Sequence, residues 1–246
     1  MKYRATVCYD GAEFFGFQRQ SSARSVQGEI EAALHKITGL AVPVIGAGRT
    51  DTGVHASGQV IAFQTDWPHS LEALTRAINF NLPADVAVSQ IAECDERFHP
   101  RFSAVNRRYD YSVVISPLRL PLERRYAWVM AAPLDVQRMN CGAACLRGQY
   151  DFAAFGTPPV GENTVRTVSR ADWEQIEAQP LVRLRFTIEA NAFLFRMVRR
   201  IVMLLVQVGR GWFEPERVRE VLNSGDIAQV KGLAPACGLN LVEVKY

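Results

Sequence analysis

Residues 41–64 read AVPVIGAGRTDTGVHASGQVIAFQ, two apolar stretches on either side of a polar loop rich in glycine. The stretch 41–45 predicts a strand, and 58–64 alternates well enough to predict another. The loop between them carries one fixed cation, one carboxylate and one titratable ring: Arg49, Asp51 and His55. The segment is therefore predicted to be a loop between two strands, held on a rigid frame, and it is the first candidate for a reactive site.

The loop alone does not choose between a turn and a catalytic site. Glycine with Asp and Thr is common turn chemistry, an arginine beside an aspartate can be a surface ion pair, and a lone histidine is usually structural. The glycine spacing fits neither a P-loop nor a dinucleotide-binding loop. Asp51 and His55 are two possible metal ligands with no third nearby, so no metal site is predicted.

The periodicity on both sides of this loop predicts an α+β fold. In the first half it gives strand 3–9, a helix capped by Ser25, helix 71–78 and strand 86–91, which with the two central strands is the ferredoxin-like order β-α-β-β-α-β. The second half repeats the pattern loosely, with strands at 107–116, 165–175, 181–189 and 239–245 and helices at 135–146, 193–208 and 215–222. We therefore predict two ferredoxin-like halves, residues 1–104 and 105–246, related by a pseudo-twofold axis with a catalytic cleft between them.

Composition is that of a globular protein with a mild preference for arginine. The chain has 246 residues, of which 48% are hydrophobic and 22% charged, and a formal net charge of +3. All but four of its 28 basic residues are arginine, which binds phosphate bidentately and stacks on bases. A GC-rich genome produces the same bias, so the total number of arginines is less informative than their clustering along the chain.

Arginines and aromatic residues alternate near the middle of the chain. The stretch contains Arg97, Phe98, Arg101, Phe102, Arg107, Arg108, Tyr109 and Tyr111, and Arg119, Arg124 and Arg125 follow. Such a stretch can follow an RNA backbone, and it can equally be a solvated edge of strand and loop.

Cysteine usage and hydropathy bear on the compartment. Five cysteines form an odd set without a Cys-x-x-Cys pair, which predicts neither a disulfide framework nor a zinc site. No signal-peptide pattern opens the chain, and the longest apolar run, 201–206, is far too short to span a bilayer. We expect a cytoplasmic protein that does not bind membranes.

The amino-acid sequence of the central loop resembles the motif of a known family. The stretch Arg49-Thr50-Asp51-Thr52-Gly53-Val54-His55-Ala56 is similar to the motif of the tRNA pseudouridine synthase A family. Other family patterns appear in order along the chain: Tyr9-Asp10-Gly11, Phe15-Gly16-Phe17-Gln18-Arg19-Gln20, Val26-Gln27-Gly28, Asn81-Leu82-Pro83 with Asp85, Phe98-His99-Pro100-Arg101-Phe102-Ser103-Ala104, Arg108-Tyr109-Asp110-Tyr111, Asp151-Phe152 with Ala154-Phe155, Asn191-Ala192-Phe193 and Met197-Val198-Arg199. The chain departs from the family at Met203 and Asn240, where glycine and tyrosine are usual.

The resemblance implies roles for individual residues. Asp51 is the nucleophile, acting at the ribose C1′, at C6 of the base, or by assisting elimination to a glycal; the sequence leaves these three routes open. Arg199 lies against this carboxylate, while Tyr109 stacks on the target base and is a candidate base for the C5 proton. Arg49 contacts the RNA backbone or fills the gap left by the flipped nucleotide, and His55 orders the loop. The RNA contacts expected elsewhere are Arg101, Arg107 and Arg108.

Substrate and partners are implied in the same way. The family converts uridine to pseudouridine at positions 38, 39 and 40 of the tRNA anticodon arm, without a small-molecule cofactor or a metal, and acts as a homodimer. Two other classes stay open: a non-catalytic RNA-binding protein, and a hydrolase that uses Asp10, Asp51 and His55. Neither half carries the aromatic signature of an RNA-recognition motif, which counts against the first.

Overall fold

The computed structural model describes residues 1–158, 161–178 and 181–246, and the chain forms two compact units. The first unit comprises Met1–Val105 with Asn240–Tyr246, and the second comprises Asn106–Leu239. The sequence predicts a boundary near residue 104; the first segment of the structure ends one residue later, and the C-terminal residues belong with it. The strands are β1 (Lys2–Tyr9), β2 (Ile45–Gly46), β3 (His55–Gln64), β4 (Val86–Glu93), β5 (Asn106–Ile115), β6 (Trp128–Met130), β7 (Gly148–Asp151), β8 (Val165–Ala178), β9 (Leu181–Ala190) and β10 (Leu239–Lys245). The helices are α1 (Val26–Thr38), α2 (Leu71–Asn81), α3 (Val136–Ala144), α4 (Met197–Gly209) and α5 (Arg217–Ser224).

The sheet of the first unit is built around β1 and β3. Strand β1 pairs antiparallel with β3 on one side and with β4 on the other. Strand β3 also pairs antiparallel with β2 and parallel with β10, where Asn240 lies opposite His55. The pairing with β3 explains why the last residues of the chain belong to the first unit.

Both helices of the first unit begin at a serine cap. The Ser25 hydroxyl accepts a hydrogen bond from the Gly28 amide, as predicted, and Ser70 caps α2 in the same way through the Ala73 amide. Alternate residues of β1 are buried, and so are four residues of α1 and two of α2. These side chains form the core below the sheet.

The predicted strand 41–45 is wrong in extent, because only Ile45–Gly46 pairs with β3. Upstream, Pro43 has no amide hydrogen to donate. The Val44 amide donates to Glu31 Oε1 at 3.0 Å, and the Val44 carbonyl accepts from Gln27 Nε2 at 3.0 Å. The backbone groups of Val44 therefore bind side chains of α1 instead of a neighbouring strand.

The second unit contains the meander β5-β9-β8-β7, in which every neighbouring pair is antiparallel. The short strand β6 pairs parallel with β5; it and β7 are absent from the sequence prediction. Helix α3 packs against β8 and α4. Mainly antiparallel strands with interspersed helices define an α+β protein, which confirms the predicted class.

Helix α4 begins four residues later than predicted, at Met197. Phe195 forms an isolated bridge with Thr157, and Arg196 has a left-handed backbone with φ of 62°, so the helix cannot extend further towards the N-terminus. Its predicted apolar residues Met197, Ile201, Leu204, Leu205 and Val208 are all buried. Within the described ranges 1–158, 161–178 and 181–246, none of the helices has the length and apolarity to cross a bilayer.

Candidate active site

The loop that carries Asp51 is short and tied to its own strand. It begins at Ala47, whose amide donates to the Val60 carbonyl at 2.8 Å, and it closes where the Val54 amide donates to the Asp51 carbonyl at 3.1 Å. Gly53 supplies the left-handed residue of the turn, with φ of 78°. Asp51 is half-buried and Arg49 is exposed, so the carboxylate stands at a fixed place on the surface of the first unit.

Residues 11–17 form a floor under the Asp51 loop. The Phe17 amide donates to the Thr50 carbonyl at 3.2 Å, and the Gly53 amide donates to the Phe14 carbonyl at 3.3 Å. Gly11 lies so close that an added Cβ would stand 1.9 Å from the Val54 carbonyl oxygen. The floor thus holds the loop by its backbone on both sides of Asp51.

Gln59 fixes the other end of the loop from inside the protein. This side chain is fully buried, and its Nε2 donates to the Gly48 carbonyl at 2.9 Å, one residue before Arg49. Sequence reasoning assigned Gln59 no role. The available signal was a glutamine on the inward side of an otherwise apolar strand, since a buried amide must find a partner.

His55 is buried and faces the floor. Its Nδ1 lies 3.1 Å from the Gly11 amide and 3.2 Å from Asp10 Oδ1. The Gly11 amide requires an Nδ1 without a proton, whereas the Asp10 oxygen favours an Nδ1 that carries one. Because a backbone amide always carries its proton, we assign Nδ1 as the acceptor for Gly11. Asp10 Oδ1 also accepts from the Ala12 amide at 3.1 Å. His55 and Asp10 therefore join β3 to the start of the floor.

Arg101 lies on a separate turn of the first unit. Its guanidinium carbon stands 5.4 Å from the centroid of the exposed Phe102 ring, and its amide donates to His99 Nδ1 at 3.1 Å. A cation beside an exposed aromatic ring is a suitable surface for an RNA strand.

Tyr109 lies on β5, opposite Ile188 of β9. Its ring meets Phe193 edge to face, with centroids 5.0 Å apart and planes at 85°. Such pairs contribute about 0.5–1.5 kcal/mol beyond area burial, so Phe193 fixes the tyrosine ring. The sequence places Phe193 within a family pattern and predicts no role for it in the site.

The two arginines before Tyr109 make contacts within the second unit. The Arg107 guanidinium donates to the Asn191 carbonyl, and Arg108 Nε lies 3.4 Å from Asp110 Oδ1. Both side chains are half-buried. A role in RNA binding stays a prediction for each.

Arg199 lies in the first turn of α4 and is anchored to the segment that precedes β10. Its Nε donates to the Ala234 carbonyl at 2.8 Å, and the Ala234 amide donates to the Arg199 carbonyl at 3.2 Å. The sequence also predicts an acidic partner for an arginine at the margin of a buried helix, and this stays a prediction.

The structure thus brings Arg49, Asp51 and His55 together on one loop and the strand that follows it, with Arg101 on another turn of the same unit. Tyr109, Arg107 and Arg108 share β5 of the second unit, and Arg199 lies on α4. The five cysteine thiols are free. Among residues 1–158, 161–178 and 181–246 no group of three or more His, Cys, Asp or Glu side chains is arranged to hold a metal ion.

Comparison with known proteins gives consistent matches along the chain. A family model described as tRNA pseudouridine synthase matches residues 5–103 and 143–246. A relative from Fervidobacterium nodosum is 41% identical over 242 residues, covering 97% of this chain and 96% of its own. One from Thermotoga maritima is 40% identical, covering 98% of both chains, and one from Chloroflexus aurantiacus is 41% identical, covering 98% of this chain and 87% of its own. Each of the three is named tRNA pseudouridine synthase A.

Proposed function

Because the chain belongs to the tRNA pseudouridine synthase A family, we propose that its target uridines lie at positions 38, 39 and 40 of the tRNA anticodon arm. The enzyme is an isomerase that converts uridine in tRNA to pseudouridine. Its reaction breaks the N1–C1′ bond, forms a C5–C1′ bond, removes the C5 proton and leaves a proton on N1. Three neighbouring targets favour recognition of RNA shape and backbone over base sequence.

Asp51 is the proposed nucleophile, and the backbone around it carries the proposal. The family match spans its loop, and backbone hydrogen bonds with residues 14 and 17 hold that loop on both sides of Asp51. A group that attacks a sugar or a base must be held in place before the reaction. Attack at C1′, attack at C6 and assisted elimination to a glycal stay open as the route.

Tyr109 is the proposed partner of the target base. Its contact with Phe193 fixes the ring plane, which suits stacking on a base that has left the helix. The hydroxyl is then the candidate acceptor for the C5 proton after the base has turned. Arg199, anchored at Ala234, is proposed to act together with Asp51.

Arg49 is proposed to contact the RNA as the target nucleotide leaves its stack. Its side chain is exposed two residues before Asp51, and chemistry on a stacked base requires that the base be extruded. An arginine at this place can bind the neighbouring phosphate or occupy the gap. Arg101, Arg107 and Arg108 are proposed as further RNA contacts, and His55 as the residue that orders the loop.

The strand pairings support a ferredoxin-like arrangement in the first unit. Its elements follow the order β1-α1-β2-β3-α2-β4, and its antiparallel pairs give the sheet order β4-β1-β3-β2. From residue 106 onward the order β5-α3-β8-β9-α4-β10 follows the same pattern once β6, β7 and α5 are set aside, although all of β10 except its first residue belongs to the first unit. We propose the same arrangement there; the pseudo-twofold axis and the cleft stay predictions.

Partners and compartment complete the proposal. We propose a homodimer that needs no small-molecule cofactor, as the resemblance implies. The five free thiols fit a reducing compartment, so we place the reaction in the cytoplasm.

Release of tritium from tRNA labelled at C5 of uridine tests this function, because only a reaction that substitutes C5 liberates the label. We expect release from tRNAs that carry a single uridine at position 38, 39 or 40, with the RNA left intact. Asp51→Asn should release none and still bind tRNA, whereas Asp66→Asn, at a fully exposed carboxylate of the same unit, should behave like the parent. Binding without release would indicate an RNA-binding protein, and free base or cleaved RNA would indicate a hydrolase.

A further inference from the structure

The floor under the Asp51 loop is itself held by a second stretch of chain. The Phe15 amide donates to the Arg24 carbonyl at 2.9 Å, the Val26 amide to the Gly16 carbonyl at 3.3 Å, and the Gln27 amide to the Phe17 carbonyl at 2.9 Å. Residues 24–27 thus run beside residues 15–17 and bind them through three backbone hydrogen bonds.

The side chain of Arg24, on this stretch, contacts both Asp85 and Phe14 of the floor. Arg24 donates from its two terminal nitrogens to the two carboxylate oxygens of Asp85 at 2.8 and 2.9 Å, and from Nε to Glu29 at 2.8 Å. Its guanidinium carbon lies 4.2 Å from the centroid of the buried Phe14 ring. All three nitrogens of the fork are therefore engaged while its face covers the floor.

These contacts converge on the Asp51 loop. The carbonyl of Phe14 accepts the hydrogen bond from Gly53, two residues after Asp51. The carbonyl of Asp85 accepts from the Asp10 amide at 3.0 Å, at the start of the floor. Arg24 therefore ties together Phe14, which binds the loop, and Asp85, which binds Asp10 directly before the floor.

We propose that Arg24 is a positioning residue for the reaction: it fixes the floor through Phe14 and Asp85, and so sets the place of Asp51. The inference rests on the proposed function, in which Asp51 is the nucleophile. The Asp85 carboxylate and the Glu29 carboxylate together raise the pKa of the Arg24 guanidinium, so the guanidinium stays charged.

A control arginine of similar exposure can distinguish a positioning role of Arg24 from a general contribution to stability. The Arg24 side chain is 36% exposed, and solvent weakens the contribution of an ion pair at such a site to folding, although a bidentate arginine–carboxylate pair keeps more of it than a single contact. Arg170 provides a matched control in the second unit: it binds both oxygens of Asp172 at 2.7 and 3.0 Å and is 43% exposed. Loss of either arginine should lower the thermal midpoint by a similar, small amount, and only the loss of Arg24 should alter catalysis.

Steady-state tritium release with Arg24→Ala and Arg170→Ala gives the first readout. We expect Arg24→Ala to lower kcat at least tenfold with the KM for tRNA within twofold of the parent, and Arg170→Ala to leave both within twofold. Arg24→Lys should recover part of kcat, because lysine keeps the charge but cannot bind both Asp85 oxygens. Asp85→Asn should reproduce the defect, and the double mutant with Arg24→Ala should be no worse than the more impaired single mutant.

Hydrogen exchange of the Gly53 amide gives a second readout that needs no activity. Arg24→Ala and Asp85→Asn should speed exchange at Gly53, and Arg170→Ala should not. A kcat within twofold of the parent for Arg24→Ala overturns the proposal. A raised KM with unchanged Gly53 exchange also overturns it and indicates a direct RNA contact. If the parent releases no tritium, the proposed function fails, while the exchange experiment still decides whether Arg24 fixes the loop; Arg24→Lys serves if Arg24→Ala does not fold.

Discussion

The hydroxyl groups of Tyr9 and Thr50 share a buried hydrogen bond of 2.8 Å in the first unit. Tyr9 is the last residue of β1, and Thr50 directly precedes Asp51. Only 3% of Tyr9 and 7% of Thr50 is exposed. The bond therefore connects the end of a central strand to the residue that leads into the proposed nucleophile.

Removing either hydroxyl should cost stability through the same bond. We expect Thr50→Val and Tyr9→Phe each to lower the free energy of unfolding by about 0.5–1.5 kcal/mol, and the double mutant to lose less than the sum. Thr50→Ser keeps a hydroxyl and should lose less than Thr50→Val. Urea unfolding of the four proteins measures the coupling; strict additivity would show that the two hydroxyls contribute independently.

Gly16 should resist substitution for two reasons. Its φ of 93° is unfavourable for any other residue, and an added Cβ would lie 2.6 Å from the Thr50 carbonyl oxygen. Gly39 has a φ of 72° with no atom within 4 Å of the added Cβ, so it isolates the backbone contribution of about 1–2 kcal/mol. Gly16→Ala should destabilise more than Gly39→Ala and should also lower kcat. Equal losses of stability with unchanged kcat for both would mean that the floor does not place Asp51.

Local signals in the sequence predicted most elements of the fold. Ser25 caps α1 where the sequence places it, and the apolar spacing of α4 marks the residues that are buried. The mispredicted segments make contacts with residues outside their own stretch of sequence. Residues 41–44 are not a strand because Val44 binds Glu31 and Gln27 on a helix, and α4 starts late because Phe195 pairs with Thr157. Periodicity cannot report such contacts.

In the candidate site, too, the sequence predicts the contiguous motif but not the residues that support it from elsewhere in the chain. The motif identifies the Asp51 loop because its residues are contiguous. Its support comes from Gly11, Phe14 and Phe17, which precede Asp51 by 34 to 40 positions, and from the buried amide of Gln59. Gly11 and Phe17 stand in family patterns, but the sequence assigns none of these residues a contact with the loop, since such contacts exist only after the chain has folded.

Tyr109→Phe should separate stacking from proton removal. The ring and its edge-to-face contact with Phe193 are retained, so tRNA binding should stay within twofold of the parent. Loss of the hydroxyl should slow tritium release at least tenfold and enlarge the isotope effect of deuterium at C5, because removal of that proton becomes rate-limiting. Tyr126→Phe, at an exposed tyrosine of the same unit, is the control. Normal turnover of Tyr109→Phe would exclude the hydroxyl as the proton acceptor.

Tyr111 should make the second unit sensitive to alkaline pH. Burial raises the pKa of its hydroxyl above the ordinary value, and that hydroxyl donates to the Pro235 carbonyl at 2.8 Å. The folded state thus keeps the proton while the unfolded chain loses it near pH 10. This contribution to stability is fully present below about pH 10 and declines above it by up to about 1.4 kcal/mol per pH unit.

Unfolding by urea between pH 7 and 11.5 tests that sign. Tyr111→Phe should be less stable than the parent at pH 7, because the bond to Pro235 is lost, and its stability should fall less steeply above pH 10. Some dependence should remain, since burial also raises the pKa of Tyr3. Identical slopes for parent and mutant would show that Tyr111 does not govern the alkaline transition.

A double-mutant cycle that measures the free energy of unfolding tests whether Arg199 and Asp51 act together. Asp51→Asn removes a charge, and Arg199→Ala removes a guanidinium whose Nε is anchored at the Ala234 carbonyl. If the two groups act on one another, the double mutant should recover part of the stability lost in Arg199→Ala, with a coupling of about 0.5–3 kcal/mol. Arg199→Lys should recover only part of the lost activity, because lysine lacks both the Nε–H and the fork.

The control cycle pairs Arg199→Ala with Asp66→Asn, whose carboxylate is fully exposed beside the N-terminus; these effects should add within about 0.3–0.5 kcal/mol. Additivity in the Asp51 cycle as well would remove Arg199 from its proposed place beside the nucleophile. It would leave the role of Asp51 intact, because that role is tested by tritium release from Asp51→Asn alone. Coupling with Asp51 and none with Asp66 is therefore the pattern that supports joint action of the two groups.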